Sequence, residues 1–189
     1  VFHEIVSDLI HLDVHHVPPS DEHPFHLLFT TGMSDLPMTL PEGLDVPARA
    51  ELMIALPPEW KLSEDDLSDE KWYWPIRQLK TIARLPHEYE TWLGHDHTIP
   101  NGDPAEPYDE GVPYCGAMVV PPLLLPDEAI EIELPNGEPL SIFALFWLTN
   151  GEMTLKLNEG ADALYERLDE LECCELLEPD RPDVSLPAN

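Results

Sequence analysis

Short apolar runs bounded by Pro, Gly, Asp or Ser recur along the whole chain. Many of these runs alternate, imperfectly, between apolar and polar positions, which is typical of half-buried β-strands. They predict strands near residues 2–6, 9–17, 25–31, 49–56, 114–120 and 140–148. Residues 95–113 are rich in turn-forming residues instead and predict a long loop, a feature that is usually functional or disordered.

One segment carries its apolar residues at helical spacing. From about residue 72 to residue 85 they recur every three or four positions, which predicts an amphipathic helix. Ser68 and Asp69 are the candidate N-caps, and Pro86 is predicted to end the helix. A second, acidic amphipathic helix is predicted near residues 161–172. The side chains of the first helix that we expect to pack on the sheet are Ile76, Leu79, Ile82 and Ala83.

The order of these elements is strands, a helix, more strands and further helices. It predicts the α+β class, with a central mixed β-sheet flanked by helices. A chain of 189 residues suits one domain with a sizeable core. We expect that domain over residues 1–178, followed by a Pro-rich C-terminal tail over 179–189. The sequence begins at Val1 inside a strand-like run, so an upstream segment stays open.

The charge balance narrows the classes of partner. Asp and Glu number 38 against 9 Lys and Arg, which gives a formal net charge of −29. Such a surface repels nucleic acid and anionic membranes, and no apolar run is long enough to predict a membrane span. Two interpretations of the acidity stay open. It steers a basic protein partner, or it reflects an acidic proteome, as in salt-adapted cells.

The cysteines indicate a reducing compartment. Cys115, Cys173 and Cys174 are an odd number with one adjacent pair, which argues against a disulfide framework. They also lack the spacing of a structural zinc site. We therefore expect a cytoplasmic protein with reduced thiols.

His11, Asp13 and His15 form the first candidate site for chemistry. At two-residue spacing on a strand they share one face, and their side chains are ligands that a divalent ion accepts. An ordinary half-buried strand explains the same pattern, and three ligands along a flat strand extend over about 13 Å. We therefore predict no metal at these residues.

The second candidate for chemistry lies in the long loop. His95, Asp96 and His97 are suited to proton transfer, but no serine or cysteine has an evident partner among them. The sequence also lacks the motifs of hydrolases, metalloproteases, nucleotide-binding loops and dinucleotide-binding folds. We predict a protein that is not an enzyme and needs no cofactor.

The stretch TTGMSDLPM, residues 30–38, combines turn residues with two large apolar side chains. Ser34 and Asp35 are predicted to lock the turn through side-chain to backbone hydrogen bonds. Met33 and Met38 are not explained by a solvated turn. They pack in the core, or they present an apolar patch to a partner, since Met adapts well to a partner's shape. Both alternatives stay open.

Five stretches, in the same order along the chain, resemble the bacterial single-domain branch of the suppressor-of-fused family. They are HLDVHHVPP, TTGMSDLPM, AELMIALPPEW, YWPIRQLKTIARLPHEYETWLGHDHTIPNG and MVVPPLLLP. The resemblance implies an α+β domain that binds proteins without catalysis. Animal members bind Gli-type transcription factors with the help of an added C-terminal lobe. That lobe is not expected here, because the sequence ends soon after the helix predicted at 161–172.

The resemblance also implies a binding region. Animal members carry a Gly-x-Ser-Asp-Leu stretch near their peptide site, and an acidic residue of the following loop contacts the ligand; Asp45 is the candidate for it here. Bacterial members are proposed to be immunity proteins. We therefore expect an immunity protein that neutralises a basic toxin, with a peptide-binding adaptor as the alternative and a metal-dependent enzyme as a weaker one. The predicted partner-binding residues are Met33, Ser34, Asp35, Leu36, Met38 and Asp45.

Overall fold

A mixed eight-stranded sheet lies between helices on its two faces. The computed structural model describes residues 1–3 and 9–186. The strands are β1 (Phe2–His3), β2 (Asp13–Val17), β3 (His26–Thr31), β4 (Arg49–Leu56), β5 (Thr98–Pro100), β6 (Tyr114–Val120), β7 (Glu131–Glu133) and β8 (Pro139–Thr149). The α-helices are α1 (Glu70–Glu88), α2 (Asn150–Glu159) and α3 (Ala161–Glu170).

The strand order is β1-β2-β3-β4-β8-β6-β5, with β7 paired to β8 outside this path. All neighbouring strands are antiparallel except β4 and β8, which are parallel. Both strands of the parallel pair are buried along nearly their whole length. Their sequences are therefore almost continuously apolar rather than alternating. The predicted α+β class with a mixed sheet is confirmed.

Successive residues of β8 show how the sheet feeds two cores. Phe143, Leu145 and Trp147 pack in the core on the α1 side. Ala144 and Phe146 pack in a second core that contains apolar residues of α2 and α3. The period of two residues in a strand places them on opposite faces.

Helix α1 covers the first face as the sequence predicts. The Asp69 carboxylate accepts a hydrogen bond from the Lys71 amide at 3.1 Å, so Asp69 is the N-cap. The four predicted core residues are all buried. The helix continues through Pro86 to Glu88, two residues beyond the point where the apolar pattern ends. Pro86 removes a single hydrogen bond near the last turn, and the Tyr89 amide still donates to the Leu85 carbonyl at 3.1 Å.

Two other elements differ from the predictions, and helix α2 has no predicted counterpart. The predicted loop at 95–113 contains β5, which pairs with β6. Residues 150–159 form α2, whose capping box joins Thr149 and Glu152. The strand predicted at 9–17 begins at Asp13. The strand predicted near 2–6 is represented by β1, and its remainder lies outside the described residues. Within residues 1–3 and 9–186, no helix is long and apolar enough to cross a membrane.

The predicted C-terminal tail is part of the fold as far as residue 186. Arg181 is 8% exposed, and its two guanidinium nitrogens donate to the carboxylate of the fully buried Glu152 at 2.6 and 2.7 Å. Burial alone lowers the pKa of Arg181, but the hydrogen bonds and charge of Glu152 outweigh it and raise that pKa. Val184 joins the second core and donates its amide to Glu152 at 3.1 Å. Arg181 and Val184 therefore pack against the rest of the fold, and the predicted boundary at residue 178 stays a prediction.

Candidate functional site

The loop between β3 and β4, residues 32–48, begins at a position that only glycine fits. Gly32 has φ of +101°, a left-handed conformation that side chains disfavour. A Cβ on Gly32 would lie 1.9 Å from the backbone carbonyl oxygen of His11. The chain leaves β3 in close contact with the segment before β2, which fixes where the loop starts.

A buried carboxylate holds the first turn of this loop. Glu51 of β4 is 4% exposed. Its Oε1 accepts hydrogen bonds from the Gly32 amide at 3.0 Å, the Ser34 amide at 2.9 Å and the Ser34 hydroxyl at 2.6 Å. Its Oε2 accepts from the Thr30 hydroxyl at 2.6 Å. The turn is thus locked from β4, whereas the predicted lock relied on Ser34 and Asp35 bonding to nearby backbone.

Arg49, two residues before Glu51, ties the same turn to a second element. Its Nη1 donates to the carbonyl oxygens of Ser34 at 2.6 Å and Asp35 at 2.9 Å. Its Nε donates to Glu138 Oε2 at 2.6 Å, in the connection between β7 and β8. The hydrogen bond from Arg49 lowers the pKa of the Glu138 carboxyl, with a further contribution from Asn136. The guanidinium therefore links the loop to a neighbouring hairpin.

Both methionines of the loop pack inward. Met33 is 0% exposed and Met38 is 5% exposed, and both belong to the core on the α1 side. His87 of α1 donates from Nε2 to the Met33 carbonyl at 2.9 Å. The Met38 amide donates to the Ala48 carbonyl at 2.7 Å, and the Leu93 amide approaches Met38 Sδ at 3.4 Å. This burial favours the alternative that both methionines pack in the core, and direct contact of their side chains with a partner stays a prediction.

Other side chains of the loop are left facing solvent. Leu36 is 43% exposed and Val46 is 42% exposed, each next to an exposed acidic residue, Asp35 and Asp45 respectively. Because the Met38 and Ala48 backbones are hydrogen bonded, Leu36 and Val46 lie within roughly 20 Å of each other by chain length. We call Asp35, Leu36, Asp45 and Val46 the loop surface. Ser34 lies at its edge and is half-buried against Glu51.

The candidate metal residues on the first strands have other contacts. His11 Nε2 lies 3.6 Å from Asp13 Oδ1. His15 Nε2 is hydrogen bonded to Thr31 Oγ1 at 2.9 Å, and its ring stacks on Phe29 with centroids 5.2 Å apart. In the part of the chain that the structure describes, no three His, Cys, Asp or Glu residues form a group able to hold a metal ion. The absence of a bound metal stays a prediction.

The three candidate proton-transfer residues at 95–97 contact different neighbours. The His95 ring lies edge-on to Phe143, and the His97 ring lies edge-on to Trp92. Asp96 Oδ1 accepts a hydrogen bond from the Tyr165 hydroxyl at 2.7 Å. These contacts show no shared catalytic arrangement, and the prediction of a protein that is not an enzyme stays a prediction.

The family model described as suppressor of fused protein (SUFU) matches residues 8–182. The chain belongs to the suppressor-of-fused family. The predicted family is therefore confirmed. A search of curated proteins gave no match.

Solved structures of this family share the fold at low sequence identity. A suppressor-of-fused homolog from Neisseria gonorrhoeae FA 1090 is similar with a TM-score of 0.69 and 16% identity, over 99% of this chain and 87% of that chain. A structure of the Sufu–Fu complex is similar with a TM-score of 0.61 and 14% identity, over 92% of this chain and 77% of that chain. Drosophila Suppressor of Fused is similar with a TM-score of 0.61 and 15% identity, over 93% of this chain and 43% of that longer chain. At these identities, the structural likeness establishes a common fold.

Glu51 and Arg49 are the residues of the site that the sequence analysis missed. Both lie in the run predicted as the strand 49–56, and both were treated only as strand positions. The available signal was a carboxylate near the start of an otherwise apolar run, since a charge that enters a core needs hydrogen-bond partners. The signal does not say which donors surround it, because those come from the preceding strand and turn.

Proposed function

We propose that this protein is a non-catalytic protein-binding domain that recognises its partner through the loop surface. The observation that carries the proposal is a loop that side chains of β4 hold by hydrogen bonds while two of its own apolar side chains stay exposed to solvent. Glu51 and Arg49 together make six hydrogen bonds to residues 30–35. Leu36 and Val46 remain more than two-fifths exposed. A preorganised binding loop loses less conformational entropy when a partner binds.

The composition of the loop surface suits a protein interface. Interfaces combine a small apolar centre with a polar rim. Here Leu36 and Val46 supply the apolar part, and Asp35 and Asp45 supply adjacent charges. The family supports a protein partner, since a relative has been solved as a Sufu–Fu complex.

The net charge of −29 supports a partner with a basic face. Opposite charges accelerate association, and an acidic inhibitor is able to occupy a cationic substrate groove. We therefore infer that the partner is a basic toxin and that this protein is its immunity protein. The oligomeric state does not enter this proposal.

A peptide-binding adaptor that adds a strand to a sheet edge is less well supported. In the described part of the chain, the sheet path ends at β1 and at β5, and β7, paired to β8 outside that path, forms a third edge of only three residues. Strand β5 has only three residues and ends at Pro100, which has no N–H to donate. Short edge strands with proline disfavour the pairing of an added strand.

The test of function uses the genes that flank the gene for this protein. Each neighbouring product is expressed in a bacterial host with and without this protein, and host survival is measured. We expect one product to be toxic alone and harmless together with this protein. The variant Leu36→Asp should lose protection, because it places a charge in the apolar part of the loop surface. The matched variant Leu171→Asp changes a similarly exposed leucine after α3 and should still protect.

Two results would contradict the proposal. If no neighbouring product is toxic, the immunity function fails. If Leu36→Asp protects as well as wild type while both variants are folded, the loop surface is not the binding site.

A further inference from the structure

A cleft lies on the opposite side of the sheet from α1. It lies between α3, residues 173–175 and the end of β6, and it has a volume of about 350 Å³. Pockets for small ligands begin at roughly this size and are mostly apolar. Val120, Leu123, Phe146 and Leu168 supply apolar walls, and Leu123 is 70% exposed at the cleft.

Glu175 is the unusual group in the lining of this cleft. The residue is 2% exposed. Its Oε1 accepts a hydrogen bond from the Leu124 amide at 2.8 Å. Its Oε2 is buried and has no hydrogen-bond donor among the described residues. Burial raises the pKa of this carboxyl, against the opposing effect of the backbone amides of Leu124, Glu175 and Leu123. A buried carboxyl oxygen without a partner is costly, so it marks a place where a donor would be stabilised.

Carboxylates outnumber the basic groups in the lining of the cleft, and His95 is the basic side chain among them. Asp96 and Asp169 line it together with Glu175, and none of the described lining residues is Lys or Arg. The Asp96 carboxylate accepts the Tyr165 hydroxyl at 2.7 Å, so it is already oriented by a neighbour. The nearby Lys156 ammonium donates to the Asp96 backbone carbonyl and not to one of these carboxylates. An apolar cavity with an excess of carboxylates favours a ligand that is positively charged and has an apolar body.

We propose that this cleft binds a small organic cation, an ammonium group on an alkyl or aryl body, with Glu175 as its counter-charge. The ammonium supplies the missing donor to Oε2, and the apolar body packs on Val120, Leu123 and Leu168. The same chemistry is present in a free amine and in the lysine side chain of a peptide. The cleft and the loop surface share no residue, so this inference does not depend on the proposed function.

A bound water is the competing explanation for the unpaired oxygen. Glu175 also lines a small cavity of about 10 Å³, next to Arg181 and Tyr114. That volume is at the lower limit for one water molecule. If a water in this cavity satisfies Oε2, the cleft has no need of a cation.

The test is isothermal titration calorimetry on the full chain with three probes. Phenethylammonium is compared with 2-phenylethanol, which has a similar shape and no charge, and with N-acetyl-lysine methylamide. We expect at least one of the two ammonium probes to bind. 2-Phenylethanol should bind at least about tenfold more weakly than that ammonium probe. The ammonium that binds more tightly identifies a free amine or a lysine side chain as the natural source.

Two variants assign the binding to the cleft. Glu175→Gln keeps an acceptor for the Leu124 amide and removes the charge, so ammonium affinity should fall by about 10- to 100-fold, as for a lost charge-assisted hydrogen bond. Leu123→Ser changes an exposed position, leaves folding intact and should weaken both aromatic probes several-fold. The inference is overturned if no ammonium probe binds, if 2-phenylethanol binds as tightly as phenethylammonium, or if a folded Glu175→Gln protein binds as wild type does.

Discussion

Replacing Glu51 with glutamine tests how the loop between β3 and β4 is held. The variant Glu51→Gln keeps the shape of the side chain and removes its charge. In the native protein, Oε1 accepts three hydrogen bonds from Gly32 and Ser34, and Oε2 accepts one from Thr30. Hydrogen bonds to charged groups contribute about 1 kcal/mol more than neutral ones. The three bonds to Oε1 alone therefore predict a loss of about 3 kcal/mol.

The Oε2 side adds to this loss. A glutamine NH₂ in that place is a donor facing the Thr30 hydroxyl, which now donates to Glu51 and accepts from the Leu52 amide at 2.9 Å. The hydroxyl hydrogen would have to turn to the Leu52 carbonyl, at the longer distance of 3.4 Å. We expect a total decrease of about 3–4 kcal/mol in the free energy of unfolding.

Urea unfolding at neutral pH measures this decrease. The matched control is Glu133→Gln on the exposed strand β7, which should change the free energy of unfolding by less than about 0.5 kcal/mol. Hydrogen exchange adds a local readout, because the Gly32 and Ser34 amides should exchange faster in Glu51→Gln. A loss below about 1 kcal/mol with unchanged exchange at those amides would refute this role of Glu51.

The remaining predictions concern the loop start, the C-terminal segment and the cleft. In urea unfolding, Gly32→Ala should lower the free energy of unfolding by about 2 kcal/mol more than Gly43→Ala does. Both glycines have positive φ, but of the two only Gly32 would place a Cβ within 2 Å of a carbonyl oxygen. Equal losses would contradict this close contact. Arg181→Met should lower the free energy of unfolding by about 3–5 kcal/mol in the same measurement, because it leaves Glu152 buried without its cation. A loss below about 1 kcal/mol would show that the C-terminal segment is only loosely attached. The pKa of Glu175 is raised in the folded state, so the folded protein keeps a proton that the unfolded chain releases above about pH 4.3. The free energy of unfolding of the wild type should therefore fall relative to that of Glu175→Gln as pH rises from about 4.3 towards the raised pKa of Glu175. Urea unfolding of both proteins from about pH 4 to about pH 8 measures this change. A difference in free energy of unfolding between the two proteins that does not vary with pH would contradict the prediction.

The strands and the main helix could be predicted because their signals are local. The apolar runs at 49–56, 114–120 and 140–148 lie within one residue of β4, β6 and β8 at each end. Ile76 and Leu79 are buried at the spacing that the helix requires. Helix α2 was not predicted, since only Met153 and Leu155 of its apolar residues are buried and the helix begins at a capping box. A short helix of this kind is stabilised by its cap and by its docking more than by periodicity.

The position of the loop between β3 and β4 could be predicted, but the way it is held could not. The family resemblance located residues 32–48, and burial then separated Leu36, which is exposed, from Met33 and Met38, which are not. Sequence alone leaves that choice open, because a turn residue points inward or outward according to how the turn is held. Glu51 decides it, and its donors come from a different strand and turn. Contacts between distant segments carry no local sequence signal.

The most direct test of the central claim is the rate at which the isolated partner binds two charge-reversed variants. Asp45→Lys changes the loop surface, and Asp21→Lys makes the same change in net charge at an exposed residue before β3. Biolayer interferometry at low salt should show association slowed several-fold more by Asp45→Lys than by Asp21→Lys, with little change in dissociation, and the difference should shrink at high salt. Equal association rates for the two variants would contradict binding through the loop surface.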